Sequence, residues 1–278
     1  MRSLPIPTIS ALAVFDVCIS RVRDPLLKAK FVGIRSDIHS REMEFISFAS
    51  LPSGTLPVSH STVGIVGGEE LSSVYTDRMV KKGSPGRDIY NKLICSAPNG
   101  RCPLCGQGAV TTLDHYLPKK FYPALVVTPA NLVPACSYCN TAKHEYTPPT
   151  RFDAPFHPYF DNIEDFRWLC AEILPSAPPA ARFSIRNQPS NPVLSSRLNS
   201  HFNLLKLGVL YASNAAEDFE ILKTQLEALH RSGGDHDVRE YLQERATAYR
   251  HVRANSWQTA LYEALSVDSW YCSGGFRW

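Results

Sequence analysis

Apolar residues recur at helical spacing near both ends of this 278-residue chain. The first periodic stretch runs from residue 9 to about residue 49. It is broken at Asp24-Pro25, which predicts two consecutive helices because the residue before a proline disfavours helical geometry. Two more helices, at 69–82 and 87–97, are predicted on either side of the breaker Gly83-Ser84-Pro85-Gly86. Periodic segments nearer the C-terminus predict helices at 207–230, 238–252 and 256–266.

The middle of the chain has a different pattern, in which short strand-like runs alternate with loops. It predicts two short strands and a helix: one strand ends near Asp114-His115, a loop lies around 131–134, and the helix opens at Cys139-Asn140. A further strand is predicted at 182–186. The elements together predict an α+β protein in three parts. These are a mainly helical region at 1–97, a central ββα core at 98–160, and short strands followed by helices at 161–278.

The charge of the chain is small overall but uneven along its length. A formal net charge of +3 excludes a protein that is polybasic throughout, whereas 44% hydrophobic residues are ample for a buried core. Between residues 76 and 151, ten basic residues stand against four acidic ones, so any phosphate-attracting surface is expected there. No segment approaches transmembrane length, and Asp16 interrupts the apolar N-terminal stretch. We therefore expect no membrane association. A cytoplasmic location is expected because two CxxC pairs in a long, core-rich chain are better explained as zinc ligands in a reducing compartment than as disulfides.

Four of the eight cysteines form two pairs with the same spacing, Cys102-Pro-Leu-Cys105 and Cys136-Ser-Tyr-Cys139. Each pair allows a tight turn to present two thiolates to one side of a metal ion, and four thiolates form a structural zinc site. The alternative is four free thiols in the core, which the doubled spacing disfavours. Because the protein would fill all four ligand positions, this zinc would stabilise structure, and catalysis would need other residues.

Three motifs in the same region resemble the HNH endonuclease family, whose ββα-metal core is often held by two CxxC knuckles. The motifs are CPLCG, LDHYLPK and NLVPACSYCNTAK, and they cover about residues 100–145. The resemblance implies a metal-dependent enzyme that hydrolyses phosphodiester bonds of nucleic acid. DNA is the favoured substrate, and RNA remains open.

By this resemblance, His115 would be the general base that activates a water molecule, a role that suits a neutral imidazole. Asp114 and Asn140 would offer oxygen ligands to a catalytic Mg²⁺ or Mn²⁺. Asn131 would tie the loop across the site and orient the histidine. The chain departs from the family pattern at Asn140, where many members have His. His144, four residues further on and so on the same face of the predicted helix, is the alternative ligand.

Basic residues near the motifs are expected to contact phosphate, namely Arg101, Lys119, Lys120 and Lys143. Two other functions stay open. A non-catalytic zinc module that binds nucleic acid would need the cysteines and the basic residues, but not Asp114, His115 or Asn140. An RNA-cleaving effector controlled by a partner ATPase is the second, since stand-alone HNH proteins with long helical flanks resemble components of bacterial anti-phage defence systems.

Overall fold

The computed structural model describes residues 1–51, 54–164, 166–186 and 190–278. These residues divide into two compact units, Met1–Asn162 and Ile163–Trp278. Both units combine helices with two-stranded antiparallel sheets, which confirms the predicted α+β class. In the described part of the chain, no helix is long and apolar enough to cross a membrane.

The first unit consists mainly of short helices. They are α1 (Ala11–Ile19), α2 (Pro25–Gly33), α3 (Arg35–Ser50), α4 (Gly68–Tyr75), α5 (Arg87–Ile94) and α6 (Ser137–Lys143). A π-helical turn at Thr76–Val80 follows α4, and 3-10 turns lie at Pro98–Gly100, Pro123–Leu125 and Pro129–Asn131. The strands pair antiparallel as β1 (Thr62–Val63) with β2 (Val66–Gly67), and β3 (Thr112–His115) with β4 (Leu132–Ala135).

The N-terminal periodic stretch contains three helices, so the prediction of two is wrong. The predicted break at Asp24 is present, because its Oδ1 accepts hydrogen bonds from Leu26 N and Leu27 N and so caps α2. A second break lies at Ile34, where φ −101° and ψ 8° leave the helical region between α2 and α3. No proline marks this second break in the sequence.

The predicted loop at 131–134 is also wrong, because Leu132–Ala135 forms strand β4. Pro134 lies opposite Leu113 in the β3–β4 pair. Proline has no N–H to donate, but a two-stranded sheet leaves one edge of each strand unpaired and therefore tolerates it. The following helix begins at Ser137, earlier than the predicted opening at Cys139-Asn140.

One hydrophobic core joins the N-terminal helices to the β3–β4 hairpin. Phe15 and Phe31 from the N-terminal helices belong to the same buried cluster as Leu113 of β3 and Leu132 of β4. The predicted parts 1–97 and 98–160 therefore lie in a single compact unit. They cannot be separated without exposing this core, since apolar burial is the main source of folding energy.

The second unit contains one hairpin and three helices among its described residues. They are β5 (Leu169–Leu174), β6 (Ala180–Ile185), α7 (Pro192–Leu204), α8 (Leu207–Val252) and α9 (Trp257–Val267), followed by a π-helical turn at Tyr271–Gly275. The break predicted between 230 and 238 is a kink within α8, where Gly234 adopts φ 65°. Asn255, just before α9, contacts the start of the hairpin, because its Oδ1 accepts from Trp168 N at 2.9 Å and from Leu169 N at 3.3 Å.

Candidate functional site

The candidate site is built on the β3–β4 hairpin and the helix that follows it. In the antiparallel register, Thr112 lies opposite Ala135 and His115 lies opposite Leu132. Only Cys136 separates β4 from α6, so the chain turns directly from the hairpin into the helix. This order of two strands and a helix brings the end of β3 close to α6.

The four paired cysteines lie together beside this hairpin. Cys102, Cys105, Cys136 and Cys139 are all buried, and their Sγ atoms lie within 4.8 Å of one another. The Sγ atoms of Cys105 and Cys136 are 3.8 Å apart. Zinc–sulfur bonds of about 2.3 Å in a tetrahedron require sulfur–sulfur distances of about 3.8 Å. The cluster, which we call the cysteine clamp, therefore has the ligands and the dimensions to hold a zinc ion.

Backbone geometry supports the clamp on both sides. Cys136 is the N-cap of α6, and its Sγ accepts from Cys139 N at 3.5 Å. After the first cysteine pair, Cys102 and Cys105, the backbone N–H of Gln107 donates to the Sγ of Cys105 at 3.4 Å. A Cβ at Gly108 would lie 2.7 Å from the Sγ of Cys136, so a larger residue there would push the two knuckles apart. Backbone donors to sulfur suit thiolate ligands because they stabilise negative charge.

A cleft of about 660 Å³ lies next to the hairpin in the same unit. Its walls combine the end of β3, the α6 region, and residues from the N-terminal part of the chain. The lining residues are Ser61, Gly68, Glu69, Ser72, Tyr75, Thr112, Leu113, Asp114, His115, Pro118, Lys119, Lys120, Asn140, His144 and Glu145. The predicted residues Asp114, His115 and Asn140 therefore face one cleft.

His115 is held in one tautomer by the protein. Its Nε2 lies 2.8 Å from the carbonyl oxygen of Val126, which can only accept, so Nε2 carries the proton and Nδ1 retains its lone pair. Burial lowers the pKa of His115 to about 3, and the imidazole is neutral at neutral pH. The ring of Tyr75 packs edge-on at a centroid distance of 4.6 Å and restricts the imidazole further.

Asp114 forms a buried ion pair with Lys143, the last residue of α6. Nζ of Lys143 lies 3.2 Å from a carboxylate oxygen of Asp114 and 2.7 Å from the carbonyl oxygen of His115. Burial raises the pKa of Asp114, and the ammonium group of Lys143 opposes that shift. The prediction that Lys143 contacts phosphate is wrong, because its side chain is only 3% exposed and bonded inside the protein.

Asn131 joins the two ends of the loop that connects β3 to β4. Its Oδ1 accepts from Leu117 N at 2.8 Å. Its Nδ2 donates to the carbonyl oxygens of Leu117, at 3.1 Å, and Leu125, at 3.4 Å. Asn131 is fully buried. The loop it holds carries Val126, whose carbonyl oxygen accepts from His115, so Asn131 supports the histidine from a distance.

The two candidates for the last metal ligand, Asn140 and His144, both line the cleft but differ in backbone position. Asn140 lies within α6 and is half-buried, whereas His144 is exposed. The helix ends at Lys143, and His144 has φ 48° and ψ −133°. His144 therefore does not continue the helical face of Asn140, which corrects the argument from their spacing.

The remaining basic candidates lie in different places. Lys119 lines the cleft with its ammonium group 5.5 Å from the ring centroid of Tyr75. Lys120 also lines the cleft, where Nζ lies 2.8 Å from Glu145 on the surface. Arg101 is not among the lining residues, and its guanidinium donates to the carbonyl oxygen of Gln107 in the first knuckle.

Several residues that line the cleft were not predicted as site residues from the sequence. Ser72 and Tyr75 lie on α4, and Ser61 lies just before β1. Tyr75 also donates its hydroxyl to the carbonyl oxygen of Leu113 at 3.2 Å, which joins α4 to β3. These residues are distant from the motifs along the chain. Only the helical spacing of Leu71, Val74 and Tyr75, which places Tyr75 on the buried face, pointed towards the core.

Comparison with known proteins gives one relative of unspecified activity. The chain is 26% identical over 238 residues to Protein ea31 of Escherichia phage lambda, in an alignment that covers 81% of this chain and 80% of the phage protein. No protein-family model and no solved structure matches the chain. The name of the phage protein states no activity, so this similarity carries no function to the chain.

A zinc ion bound by the cysteine clamp should stabilise the centre of the first unit. We expect zinc chelation, or Cys139→Ser, to lower the melting temperature strongly, because zinc binding contributes an apparent 10–16 kcal/mol, roughly, to the folding of small zinc domains. Circular dichroism on samples of known zinc content measures this. The exposed Cys95 provides the control, since Cys95→Ser should melt like the wild type. Wild-type melting of Cys139→Ser would contradict a structural role.

Removal of the Asn131 amide should destabilise the loop under His115. We expect Asn131→Ala to lower the free energy of unfolding by about 1–3 kcal/mol, because it leaves the buried N–H of Leu117 unpaired. Urea denaturation measures the change. Asn91→Ala, on the exposed surface of α5, should stay within about 0.5 kcal/mol of the wild type. An equal effect of both substitutions would show that the Asn131 hydrogen bonds do not stabilise the fold.

Proposed function

We propose that this chain is a metal-dependent endonuclease of the HNH type, which hydrolyses phosphodiester bonds of nucleic acid in the cleft beside β3. The proposal is carried by one observation: Asp114, His115 and Asn140 face the same cleft, next to the cysteine clamp. A base, an acidic ligand and an amide ligand on one cleft are the groups that metal-assisted phosphodiester hydrolysis needs.

His115 suits the role of general base. Its Nε2–H donates a hydrogen bond to the carbonyl oxygen of Val126, so the lone pair of Nδ1 can accept a proton from water. The lowered pKa keeps the imidazole neutral at neutral pH, but it also makes His115 a weak base, so the negative charge of a bound phosphodiester would have to stabilise the imidazolium that forms. Because the ring is buried against Tyr75, its direction is set before substrate binds. Water activated at Nδ1 would attack the phosphorus of a bound phosphodiester.

Asp114 and Asn140 would hold one divalent ion, Mg²⁺ or Mn²⁺, with His144 as the alternative to Asn140. Carboxylate and amide oxygens are hard ligands that suit these ions, and both line the cleft. The ion, when bound, would neutralise the charge that builds up on the phosphate and on the leaving oxygen. The clamp sulfurs are soft ligands on separate residues, so the two metals would have different tasks.

Lys119 and Lys120 are the basic residues that the cleft offers to phosphate. A site that reads the phosphate backbone accepts duplex DNA by default, and RNA stays an alternative that the same contacts would allow. A partner ATPase, a role in anti-phage defence and a cytoplasmic location stay predictions from the sequence.

A non-catalytic module that binds nucleic acid is the second candidate. The specific observation in its favour is that Asp114 is already paired with Lys143 and that His115 is only 8% exposed. Buried polar groups of this kind also occur where they serve structure alone. The two candidates differ in whether His115 is needed for any reaction.

Cleavage by the purified full chain separates the two candidates. We expect cleavage of at least one substrate among duplex DNA, single-stranded DNA and RNA with Mg²⁺ or Mn²⁺. His115→Ala should lower the rate by about 10²–10⁴, because the water loses its base. The exposed His39 on α3 is the control, and His39→Ala should cleave at the wild-type rate. No cleavage of any substrate, or full activity of His115→Ala, would favour the binding module.

The same assay assigns the last metal ligand. We expect Asn140→Ala to raise the Mn²⁺ concentration needed for half-maximal cleavage by about tenfold, because one oxygen ligand is lost. His144→Ala should change it by less than about twofold, since His144 lies beyond the end of α6. A fully active Asn140→Ala variant together with a defective His144→Ala variant would assign the ligand to His144.

A further inference from the structure

Asp114, which lines the cleft, forms its ion pair with Lys143 through both oxygens of its carboxylate. Nζ of Lys143 lies 3.2 Å from Oδ1 and 3.2 Å from Oδ2 of Asp114, so the ammonium group straddles the carboxylate. The carbonyl oxygen of His115 accepts from the same ammonium group at 2.7 Å. The two side chains are only 3% and 7% exposed. Lys143 therefore fixes the carboxylate and the adjoining backbone of β3 together.

The pair also sets the charge beside the cleft. A buried carboxylate without a partner is strongly destabilising, and here one lysine balances it. The other lysines at the cleft are placed differently, since Lys119 lies over Tyr75 and Lys120 binds Glu145. Asp114 and Lys143 together carry no net charge, and Asn140 is neutral. A divalent ion at Asp114 and Asn140 would thus have one anionic ligand, Asp114, whose charge Lys143 already neutralises.

We propose that Lys143 is a positioning residue that acts as a resident cation. It holds Asp114 in place before a divalent ion binds, and it weakens the binding of that ion by charge repulsion. The inference rests on the proposed function in one respect, because it takes Asp114 as a ligand of the divalent ion. A phosphate group of the substrate then supplies the negative charge that the protein ligands lack. Divalent ion and nucleic acid therefore strengthen each other's binding.

Mn²⁺ binding to the zinc-loaded full chain tests this inference, with free Mn²⁺ measured by electron paramagnetic resonance. We expect Lys143→Met to bind Mn²⁺ about tenfold more tightly than the wild type, because the repelling charge is gone. Lys92→Met is the matched control, since Lys92 is an exposed lysine of α5 outside the cleft, and its affinity should stay within about twofold. If Lys143 only supported the fold, its loss would loosen Asp114, and Mn²⁺ affinity would fall. Unchanged or weaker binding by Lys143→Met overturns the inference.

Thermal melting provides a second readout. Without divalent ions, Lys143→Met should melt below the wild type, and Mn²⁺ should raise its melting temperature more than that of the wild type. If the variant does not fold, Lys143→Arg takes its place, since it keeps the charge. It should fold and bind Mn²⁺ no more tightly than the wild type, and tighter binding by Lys143→Arg would contradict the inference.

The Mn²⁺-binding experiment and the cleavage assay can fail independently of each other. A chain that cleaves no nucleic acid but binds Mn²⁺ more tightly after Lys143→Met refutes the nuclease and supports the resident cation. Cleavage by the wild type together with weaker Mn²⁺ binding by Lys143→Met supports the nuclease and refutes the resident cation.

Discussion

Closure of four cysteine sulfurs to within 4.8 Å of one another fixes the position of α6 relative to the hairpin. One pair of sulfurs precedes β3 and the other lies at the start of α6, so a shared metal would hold both ends of the motif. The far end of α6 is then set as well. Lys143 reaches back from there to Asp114 and to the carbonyl oxygen of His115. A helix tied at both ends cannot slide, and Asn140 is consequently held at the cleft.

Burial gives the groups of this site properties that exposed copies would lack. It lowers the pKa of His115 to about 3. It also raises the pKa of Asp114, and the ammonium group of Lys143 opposes that shift and so favours the ionised carboxylate. Much of the burial comes from the N-terminal part of the unit, because Tyr75 of α4 packs on the imidazole and bonds to Leu113. The electrostatics of the motif thus depend on residues far from it in sequence.

Local patterns predicted the local parts of the site, and tertiary contacts decided the rest. Doubled cysteine spacing predicted the cluster, because two tight turns suffice to aim four sulfurs at one point. The strand ending at His115 was also predicted correctly. The second predicted strand was not placed at Leu132–Ala135, because Pro134 gives a loop signal that only pairing with Leu113 overrides. Nothing in the sequence distinguished Lys143 from an exposed lysine, since its burial depends on where α6 packs.

The motif at residues 100–145 therefore does not account for the whole of the candidate site. Residues 98–160 share their core with the N-terminal helices, and those helices also supply a wall of the cleft. The alignment with Protein ea31 spans 238 residues, many more than the motif residues 100–145, so the similarity extends well into the helical regions. The hairpin and α6 carry Asp114, His115 and Asn140, whereas the N-terminal helices contribute to their burial and to the shape of the cleft. Under the proposed function, the wall that α4 supplies would therefore bear on which substrate the cleft accepts.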